Sequence, residues 1–298
     1  MTGSIPRMPA GNRHTISVCI PTYNHGRFLP DAVGSVLAQT FRDFELIIVD
    51  NASTDDTPAL GRKFAESDPR IGYIANRSNV GMLNNFNLCL KHASGDYIKI
   101  LCADDLLEPT CLEKLLHGFE SRPNASLVGA ARLLVDENLE PLKVLSYADR
   151  FVTDAGTNVI ERCLLKGNLI GEPSSVMFRK ADAERGFSTG YTQLIDLEMW
   201  FHLLEKGDFV FFPEALSRFR RHGGQLTWEH LKDPGFFDDA WKIFNDYVDK
   251  DYIRISRPRK ALLKVVRRTG MEILRRSRFA RLAFSAFRSR LTARRHHV

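Results

Sequence analysis

The clearest indication of the fold comes from residues 44–50, Phe44-Glu45-Leu46-Ile47-Ile48-Val49-Asp50. Five of its first six residues are apolar, and such a short, nearly unbroken run is typical of a strand buried on both faces. Strands of this kind form parallel sheets that helices cover on both sides. Asp50, which follows the run, is then expected at the carboxyl end of its strand.

The segments on either side of this strand alternate between strand and helix patterns. Asp56 and Pro58, shortly after it, are typical of a capped helix start. The order of strands and helices predicts a mostly parallel central sheet with helices on both faces, whose ligands bind at the carboxyl ends of the strands. Apolar runs predict strands at residues 16–20, 71–75 and 97–101, and helical spacing predicts helices at residues 28–37 and 82–92.

The second half of the chain continues with strands and helices that no longer alternate strictly. An amphipathic pattern predicts a helix over residues 193–206. Pro213 interrupts an apolar segment, so two short strands are predicted around it, at residues 209–212 and 216–219. Further strands are predicted at residues 126–135 and 174–178.

The composition is that of a folded protein of one or two domains. The 298 residues are 44% hydrophobic and 26% charged, which argues against a disordered chain. No apolar stretch reaches the roughly 18 residues that span a bilayer, and the first 15 residues lack the apolar core of a secretory signal. The five cysteines form no C-x-x-C pair, so we expect reduced thiols in an intracellular protein.

The net charge of +6 is unevenly distributed along the chain. Residues 254–298 contain fifteen Lys and Arg and one acid, Glu272, so they carry +14 and the remaining 253 residues carry −8. A basic protein suggests a nucleic-acid binder, but here only the C-terminal region is basic. We therefore expect no nucleic-acid partner.

The basic tail has the pattern of an amphipathic helix. Such a helix lies in the interface of an anionic membrane, which predicts peripheral attachment to the inner face of the cell membrane. A helix packed on the rest of the protein and a polyanion-binding tail are the alternatives. The apolar face consists of Phe279, Leu282, Ala283, Ala286 and Phe287, and the basic face of Arg278, Arg281 and Arg288.

Polar residues follow the strands of the predicted parallel sheet. Asp104 and Asp105 are adjacent carboxylates of the kind that bind Mg²⁺ or Mn²⁺, or else one of them caps a helix that begins near Pro109. Asp50 accepts hydrogen bonds from a nucleotide or shapes a turn. Tyr23 stacks on a base or packs within its loop.

Five motifs stand in register along the first half: Pro21-Thr22-Tyr23-Asn24, Asp50-Asn51-x-Ser53-x-Asp55-x-Thr57, Asn79-x-Gly81 with Asn87, Gly95-Asp96-Tyr97-Ile98 and Ala103-Asp104-Asp105. Their order and spacing resemble those of the inverting glycosyltransferase family 2, which has the GT-A fold. The resemblance covers about residues 16–227. It implies an α/β fold of GT-A type and an enzyme that transfers a sugar from a nucleoside-diphosphate sugar to an acceptor hydroxyl with a Mn²⁺ or Mg²⁺ cofactor.

The resemblance also implies residue roles. Asp104 matches the metal-binding Asp, and His222, in a segment similar to the family's Tyr-Arg-x-His, joins the metal or holds the diphosphate. The family's Asp-x-Asp-Asp motif has Cys102 in its first position here, and Phe86 stands where many members have Arg. The residues implied to bind the nucleotide are Pro21, Thr22, Tyr23, Asp50, Asn51, Asn79, Gly81, Asp105 and Arg220.

The catalytic base implied by the resemblance is Asp196. It occupies the Asp position of an acidic pair in which Ile195 replaces the Glu, and Glu198 is the second candidate. The alternative for Asp196 is a residue that only caps or decorates its helix. Arg220 and His222 likewise have an alternative as members of an ordinary polar loop.

The expected organisation has four regions: a flexible arm at 1–14, a nucleotide-sugar-binding half at 15–120, an acceptor-binding and catalytic-base half at 121–230, and a helical, basic C-terminal region at 231–298. The expected partners are a nucleotide sugar, a glycan or lipid-linked acceptor and an anionic membrane surface. We expect a cytoplasmic enzyme of cell-surface polysaccharide or glycolipid assembly. The alternatives are an inactive nucleotide- or polyanion-binding protein, favoured by Cys102 and Ile195, and a nucleotidyltransferase.

Overall fold

The computed structural model describes residues 14–223, residue 225 and residues 234–276. The strands in these ranges are β1 (Ile16–Thr22), β2 (Phe44–Asp50), β3 (Ile71–Ala75), β4 (Tyr97–Ile100), β5 (Leu106–Leu107), β6 (Ala125–Val135), β7 (Pro141–Leu145), β8 (Val152–Ala155), β9 (Val176–Arg179) and β10 (Asp208–Arg220). The helices are α1 (Leu29–Leu37), α2 (Thr57–Ser67), α3 (Met82–His92), α4 (Cys111–Ser121), α5 (Gly156–Lys166), α6 (Ile195–Leu204), α7 (Pro234–Val248) and α8 (Arg257–Arg276).

The first four strands form the parallel sheet that the sequence predicts. β1 lies between β2 and β4, with Ile16 opposite Phe44 on one side and Tyr97 on the other. All seven residues of β2 are buried, as its apolar run indicates, and β3 extends the sheet in parallel beyond it. The expected α/β fold is therefore confirmed.

Helices cover this sheet on both faces because successive strand residues point to opposite sides. On one face, Val18 and Ile20 belong to the same buried cluster as Val33 of α1. On the other face, the Cys19 thiol lies 3.8 Å from the carbonyl oxygen of Cys89 in α3. Both layers of core are thus built on alternate residues of β1.

The second half of the chain extends the same sheet. The strand order is β3-β2-β1-β4-β9-β6-β10-β5, with β7 paired to β6 and β8 paired to β10. β9 is antiparallel to both β4 and β6, and β10 is parallel to β6. β10 therefore runs in the same direction as β1 and β4, and the carboxyl ends of all three strands lie at one edge of the sheet.

Two helix predictions need correction. The helix expected near Pro109 begins only at Cys111, after the short strand β5, and its N-cap is Thr110. Neither Asp104 nor Asp105 caps it. The cap predicted for α2 is right in position, because Asp56 is its N-cap residue, but Asp56 makes no side-chain capping hydrogen bond. Asp55 instead accepts the amide of Thr57 at 3.0 Å.

Two predictions for the second half are also wrong in detail. The segment around Pro213 is one strand, β10, rather than two, and the pairing of β10 with β6 shifts register between Phe212 and Ser217. A bulge of this kind accommodates a proline inside a strand. The helix expected at residues 193–206 is shorter, and α6 buries nearly all of its residues rather than one amphipathic face.

The described residues divide into two compact units. The first contains the residues up to Gly190 together with Ile195–Gly223, and the second contains Tyr191–Leu194, α7 and α8. In the second unit, Asp239 of α7 accepts three consecutive backbone amides from residues 192–194. The division into four regions made from the sequence stays a prediction.

No helix among the described residues has both the length and the apolar composition needed to cross a bilayer. The amphipathic helix predicted at residues 278–288 and most of the predicted N-terminal arm lie outside the described residues.

Candidate active site

Three potential metal ligands converge at the carboxyl ends of β1, β4 and β10. His25 follows β1, Asp104 follows β4 and His222 follows β10. Oδ2 of Asp104 lies 3.0 Å from Nε2 of His222, and the nearest donor atoms of all three residues lie within 4.8 Å of one another. Residues separated by up to 197 positions in the chain therefore form one cluster because their strands end at the same edge.

The electrostatics of this cluster favour an ionised carboxylate. Burial alone would raise the pKa of Asp104, but the hydrogen bond with His222 and the neighbouring His25 outweigh it, so that the pKa is lowered. Burial also lowers the pKa of His25, against the opposing charge of Asp104. A carboxylate beside uncharged imidazole is a suitable donor set for a divalent cation.

Asp105 lies behind this cluster rather than in it. Its side chain is fully buried, and its oxygens accept the Ser174 hydroxyl at 2.5 Å and the Arg220 amide at 3.0 Å. Burial, followed by the charge of Asp104, raises its pKa well above the usual range. The same Ser174 hydroxyl accepts the amide of Cys102 at 3.0 Å, so Asp105 and Ser174 fix the loop that presents Asp104.

Asp50 and Asn51 form the base of the predicted nucleotide loops. Asp50 is fully buried; it accepts the Ser53 amide at 2.9 Å and the Tyr73 hydroxyl at 2.6 Å. Asn51 donates to Asn79 at 2.8 Å and accepts the Val80 amide at 2.9 Å. The structure therefore shows the turn-forming arrangement for Asp50, with Asn51 tying the two loops together.

The groups above this base are accessible. Tyr23 is 43% exposed, Asn79 is exposed, and Gly81 has the left-handed φ of 82° that favours glycine. Pro21 is half-buried. The Thr22 hydroxyl is buried and has no hydrogen-bond partner within the part of the chain that the structure describes. Tyr23, Asn79 and Gly81 therefore form the exposed part of this edge, whereas the Thr22 hydroxyl lies beneath it.

Asp196 lies in the first turn of α6, where its Oδ1 accepts the Leu197 amide at 2.7 Å. Burial raises its pKa to about 6, and the charge of Glu172 adds to this effect. Asp196 is close enough to Cys102 that its charge contributes to the raised pKa of that thiol, after burial and the two motif aspartates. The carboxylate therefore lies near the metal-type cluster.

Glu198 has a different environment. It forms a two-pronged ion pair with Arg185, with both distances at 2.8 Å, and it is buried. This pairing engages both carboxylate oxygens. Asp196 is thus the more available of the two candidate bases.

Arg220 is buried, with its guanidinium 2.6 Å from Asp31 and 4.8 Å from the ring centre of Phe28. Phe28 also packs against His222, with ring centres 4.5 Å apart. Phe86, the position at which many family members have Arg, packs edge-on against Phe187 at 5.3 Å. Arg220 therefore packs on the Phe28 ring, which contacts His222, and Phe86 packs on Phe187.

Sequence reasoning missed His25, Ser174 and Glu172 as members of this region. His25 directly follows the first motif, at the end of a predicted strand, and this position was the available signal. The predicted strand at residues 174–178 begins only at Val176, and Ser174 instead lies in a short 3₁₀ turn that Glu172 precedes. Only the folded chain brings them to Asp105 and Asp196.

Comparison with known proteins decides the family. Residues 17–186, more than half of the chain, match the sequence model of glycosyl transferase family 2. The chain belongs to glycosyl transferase family 2. This family 2 glycosyltransferase is 30% identical over 227 residues to TuaG of Bacillus subtilis, whose name assigns it provisionally to teichuronic acid biosynthesis; the match covers 74% of this chain and 86% of TuaG.

Two solved structures share the fold of this family 2 glycosyltransferase. S. aureus TarS in complex with UDP-GlcNAc has a TM-score of 0.67 at 16% identity, covering 84% of this chain and 70% of TarS. The mannosyltransferase PcManGT from Pyrobaculum calidifontis, in complex with GDP-Man and Mn²⁺, has a TM-score of 0.59 at 18% identity, covering 95% of this chain and 81% of that one. The expected GT-A fold is confirmed.

Proposed function

We propose that this glycosyltransferase transfers a sugar from a nucleoside-diphosphate sugar to an acceptor hydroxyl, with a bound divalent cation and with inversion at the anomeric carbon. The observation that carries the proposal is the pairing of Asp104 with His222 at the sheet edge, together with Asp196 of α6, whose charge acts on the nearby Cys102 thiol. A metal-type donor pair and a carboxylate with a raised pKa are the two parts that such a transfer needs.

The residues at the cluster fit a Mn²⁺ or Mg²⁺ ion. Asp104 supplies an oxygen donor and His222 a nitrogen donor, 3.0 Å apart. When bound, such an ion supplies positive charge against the diphosphate leaving group. The PcManGT complex, which contains Mn²⁺, supports a metal on this fold.

The exposed residues above the strand ends are proposed to contact the donor. Tyr23 offers a ring face for a base, and the half-buried Pro21 and buried Thr22 precede it in the chain and support it from below. Asn79 and Gly81 are proposed to line the ribose and diphosphate. UDP-GlcNAc and GDP-Man in the two neighbouring structures support a nucleotide sugar as donor.

Four residues that the resemblance implies as nucleotide ligands are assigned a supporting role instead. Their polar groups are buried and already engaged: Asp50 with Ser53 and Tyr73, Asn51 with the Asn79 loop, Asp105 with Ser174, and Arg220 with Asp31. We propose that they hold the nucleotide-binding loops and the metal-binding loop in place.

Asp196 is proposed as the general base. A carboxyl group whose pKa is about 6 is largely ionised near neutral pH and is basic enough to accept the proton of an acceptor hydroxyl. The acceptor oxygen then forms a bond to the anomeric carbon as the bond to the diphosphate breaks. Because this is a single displacement, the configuration is inverted.

The acceptor is proposed to be a glycan or a lipid-linked glycan at the inner face of the cell membrane. The provisional name of TuaG supports a cell-surface polysaccharide. Helix α8 supports the location: Leu262, Val265 and Val266 are exposed on it, and it carries eight Lys and Arg against one acid. Exposed apolar side chains within a basic helix favour an anionic membrane interface.

The test of the proposed function is a donor panel with Mn²⁺. Nucleotide sugars that stabilise the protein in thermal unfolding are incubated with glycan acceptors, and the phosphate product is identified. Release of a nucleoside diphosphate is the expected result. A parallel reaction supplies a nucleoside triphosphate and a sugar 1-phosphate, and release of pyrophosphate there alone would indicate a nucleotidyltransferase. Donor binding without any turnover would indicate an inactive nucleotide-binding protein.

A further inference from the structure

His25 is held in a defined position by the chain around it. Asn24 has a left-handed φ of 55°, which turns the chain sharply at the end of β1. The carbonyl oxygen of His25 accepts the amides of Phe28 and Leu29, both at 2.9 Å. The amide of Gly26 donates to Asp55 at 2.9 Å. These backbone contacts fix the direction in which the imidazole leaves the main chain.

The His25 ring belongs to the Asp104 cluster and has an unused nitrogen. Its Nδ1 is buried and has no hydrogen-bond partner among the residues that the structure describes. The ring lies edge-on to the ring of His222, at 82° and with centres 6.2 Å apart. Leaving a buried polar atom without a partner costs free energy. One ring nitrogen of His25 lies within 4.8 Å of the donor atoms of Asp104 and His222.

We infer that His25 is a third protein ligand of the metal, so that the site is a two-histidine, one-carboxylate set that prefers transition-metal ions such as Mn²⁺ and Co²⁺ to Mg²⁺. The inference rests on the proposed function, which assigns only Asp104 and His222 to the metal. Imidazole nitrogen suits transition metals, whereas Mg²⁺ is bound through oxygen. The 3.0 Å between the donor atoms of Asp104 and His222 matches the roughly 3 Å between adjacent ligands at metal–ligand bonds of about 2.1 Å.

Cys102 is the competing third ligand. Its thiol, with Asp104 and Asp105, forms a second group whose donor atoms lie within 4.8 Å. Both oxygens of Asp105 are already engaged by Ser174 and Arg220, so this group offers one available carboxylate. The His25 group offers a carboxylate and two imidazoles, one of which has an unused nitrogen.

The test measures metal binding to the full chain without nucleotide. Dissociation constants for Mn²⁺ and Mg²⁺ are determined by electron paramagnetic resonance and competition for the wild type, His25→Ala, His25→Gln and Asp104→Asn. His117→Ala removes an exposed histidine of α4 and is the matched control. Thermal unfolding in chelator identifies any variant that does not fold, and His25→Gln retains side-chain volume if His25→Ala fails.

We expect His25→Ala and His25→Gln to bind Mn²⁺ at least about tenfold more weakly, the smallest loss usual for disturbing a metal site, with less effect on Mg²⁺. We also expect the Co²⁺ form of the wild type to lack the near-ultraviolet band of a cobalt–thiolate bond. Wild-type Mn²⁺ affinity in both His25 variants, or a thiolate band that Cys102→Ser removes, would overturn the inference. If Asp104→Asn alone loses the metal, the proposed function stands without His25; if Asp104→Asn also retains it, the proposed metal site fails as well.

Discussion

Replacing Asp196 with Asn should lower turnover and raise stability at the same time. The pKa of Asp196 rises from its ordinary 3.8 to about 6 in the folded chain, chiefly because of burial. Between these two values the folded state binds more protons at this residue than the unfolded state, so its contribution to stability falls as pH rises through that window. At pH 7 the ionised carboxylate therefore destabilises the fold.

The size of this effect follows from the pKa difference. A difference of about two pH units corresponds to roughly 3 kcal/mol at most, because each unit is worth about 1.4 kcal/mol. Asp196 is partly exposed, and screening by water reduces the figure. Since about 1 kcal/mol changes the melting temperature of a domain of this size by roughly 2–4 °C, we expect Asp196→Asn to melt a few degrees higher at pH 7.

The assay compares thermal unfolding and turnover of both proteins across pH. The stability gain of Asp196→Asn should be present at pH 7, shrink as pH falls below about 6, and vanish below the ordinary pKa of 3.8, where the wild-type residue is protonated in both states. Turnover should fall by about a hundredfold or more, as for loss of a general base, with donor binding retained.

Glu198→Gln is the matched control on the same helix. Because it breaks the buried pair with Arg185, it should lower the melting temperature and leave turnover close to the wild type. An Asp196→Asn variant that melts below the wild type at pH 7, or that keeps its activity, would contradict both roles of Asp196. A large loss of turnover in Glu198→Gln alone would transfer the role of base to Glu198.

Three further outcomes are expected. The acid limb of kcat/KM should lie near pH 6 and move to lower pH in Glu172→Gln, because the Glu172 charge raises the pKa of Asp196; a limb that stays in place would exclude that influence. Gly95→Ala should lower the melting temperature, because a Cβ there would lie 2.6 Å from the Ser17 amide nitrogen. Gly34→Ala, whose Cβ would meet no atom within 4 Å, should raise the free energy of unfolding by about 0.5–1 kcal/mol. Equal melting temperatures of the two variants would contradict this. Cosedimentation with anionic liposomes at low salt should be lost in a Val265→Asp, Val266→Asp double variant and retained in Val144→Asp, which changes an exposed residue of β7; binding by the double variant would exclude α8 as the attachment surface.

The parallel half of the fold could be predicted because burial leaves a direct mark on the sequence. β2 is apolar along its length since both faces are covered. β7 leaves no such mark, because four of its five residues are exposed. β5 has only two residues, too few to form any pattern. α5 was missed although its buried residues follow helical spacing.

The sequence allowed us to predict which edge of the sheet holds the candidate site, but not the role of each residue there. Parallel strands place Asp50 and Asp104 at one side of the sheet, and the sequence reveals that order. It does not reveal that the Asp50 carboxylate accepts a hydrogen bond from Tyr73, or that Asp105 accepts hydrogen bonds from Ser174 and Arg220. Whether a carboxylate faces a ligand or the protein depends on contacts made by residues far away in the chain.

The central claim is tested most directly by measuring nucleoside-diphosphate release from a nucleotide sugar and acceptor in chelator, then with Mn²⁺ restored, for the wild type and Asp104→Asn. We expect release by the wild type to stop in chelator and to return with Mn²⁺, and we expect no such recovery in Asp104→Asn despite a normal melting temperature. Release that is unaffected by chelator, or an Asp104→Asn variant that turns over like the wild type, would contradict it.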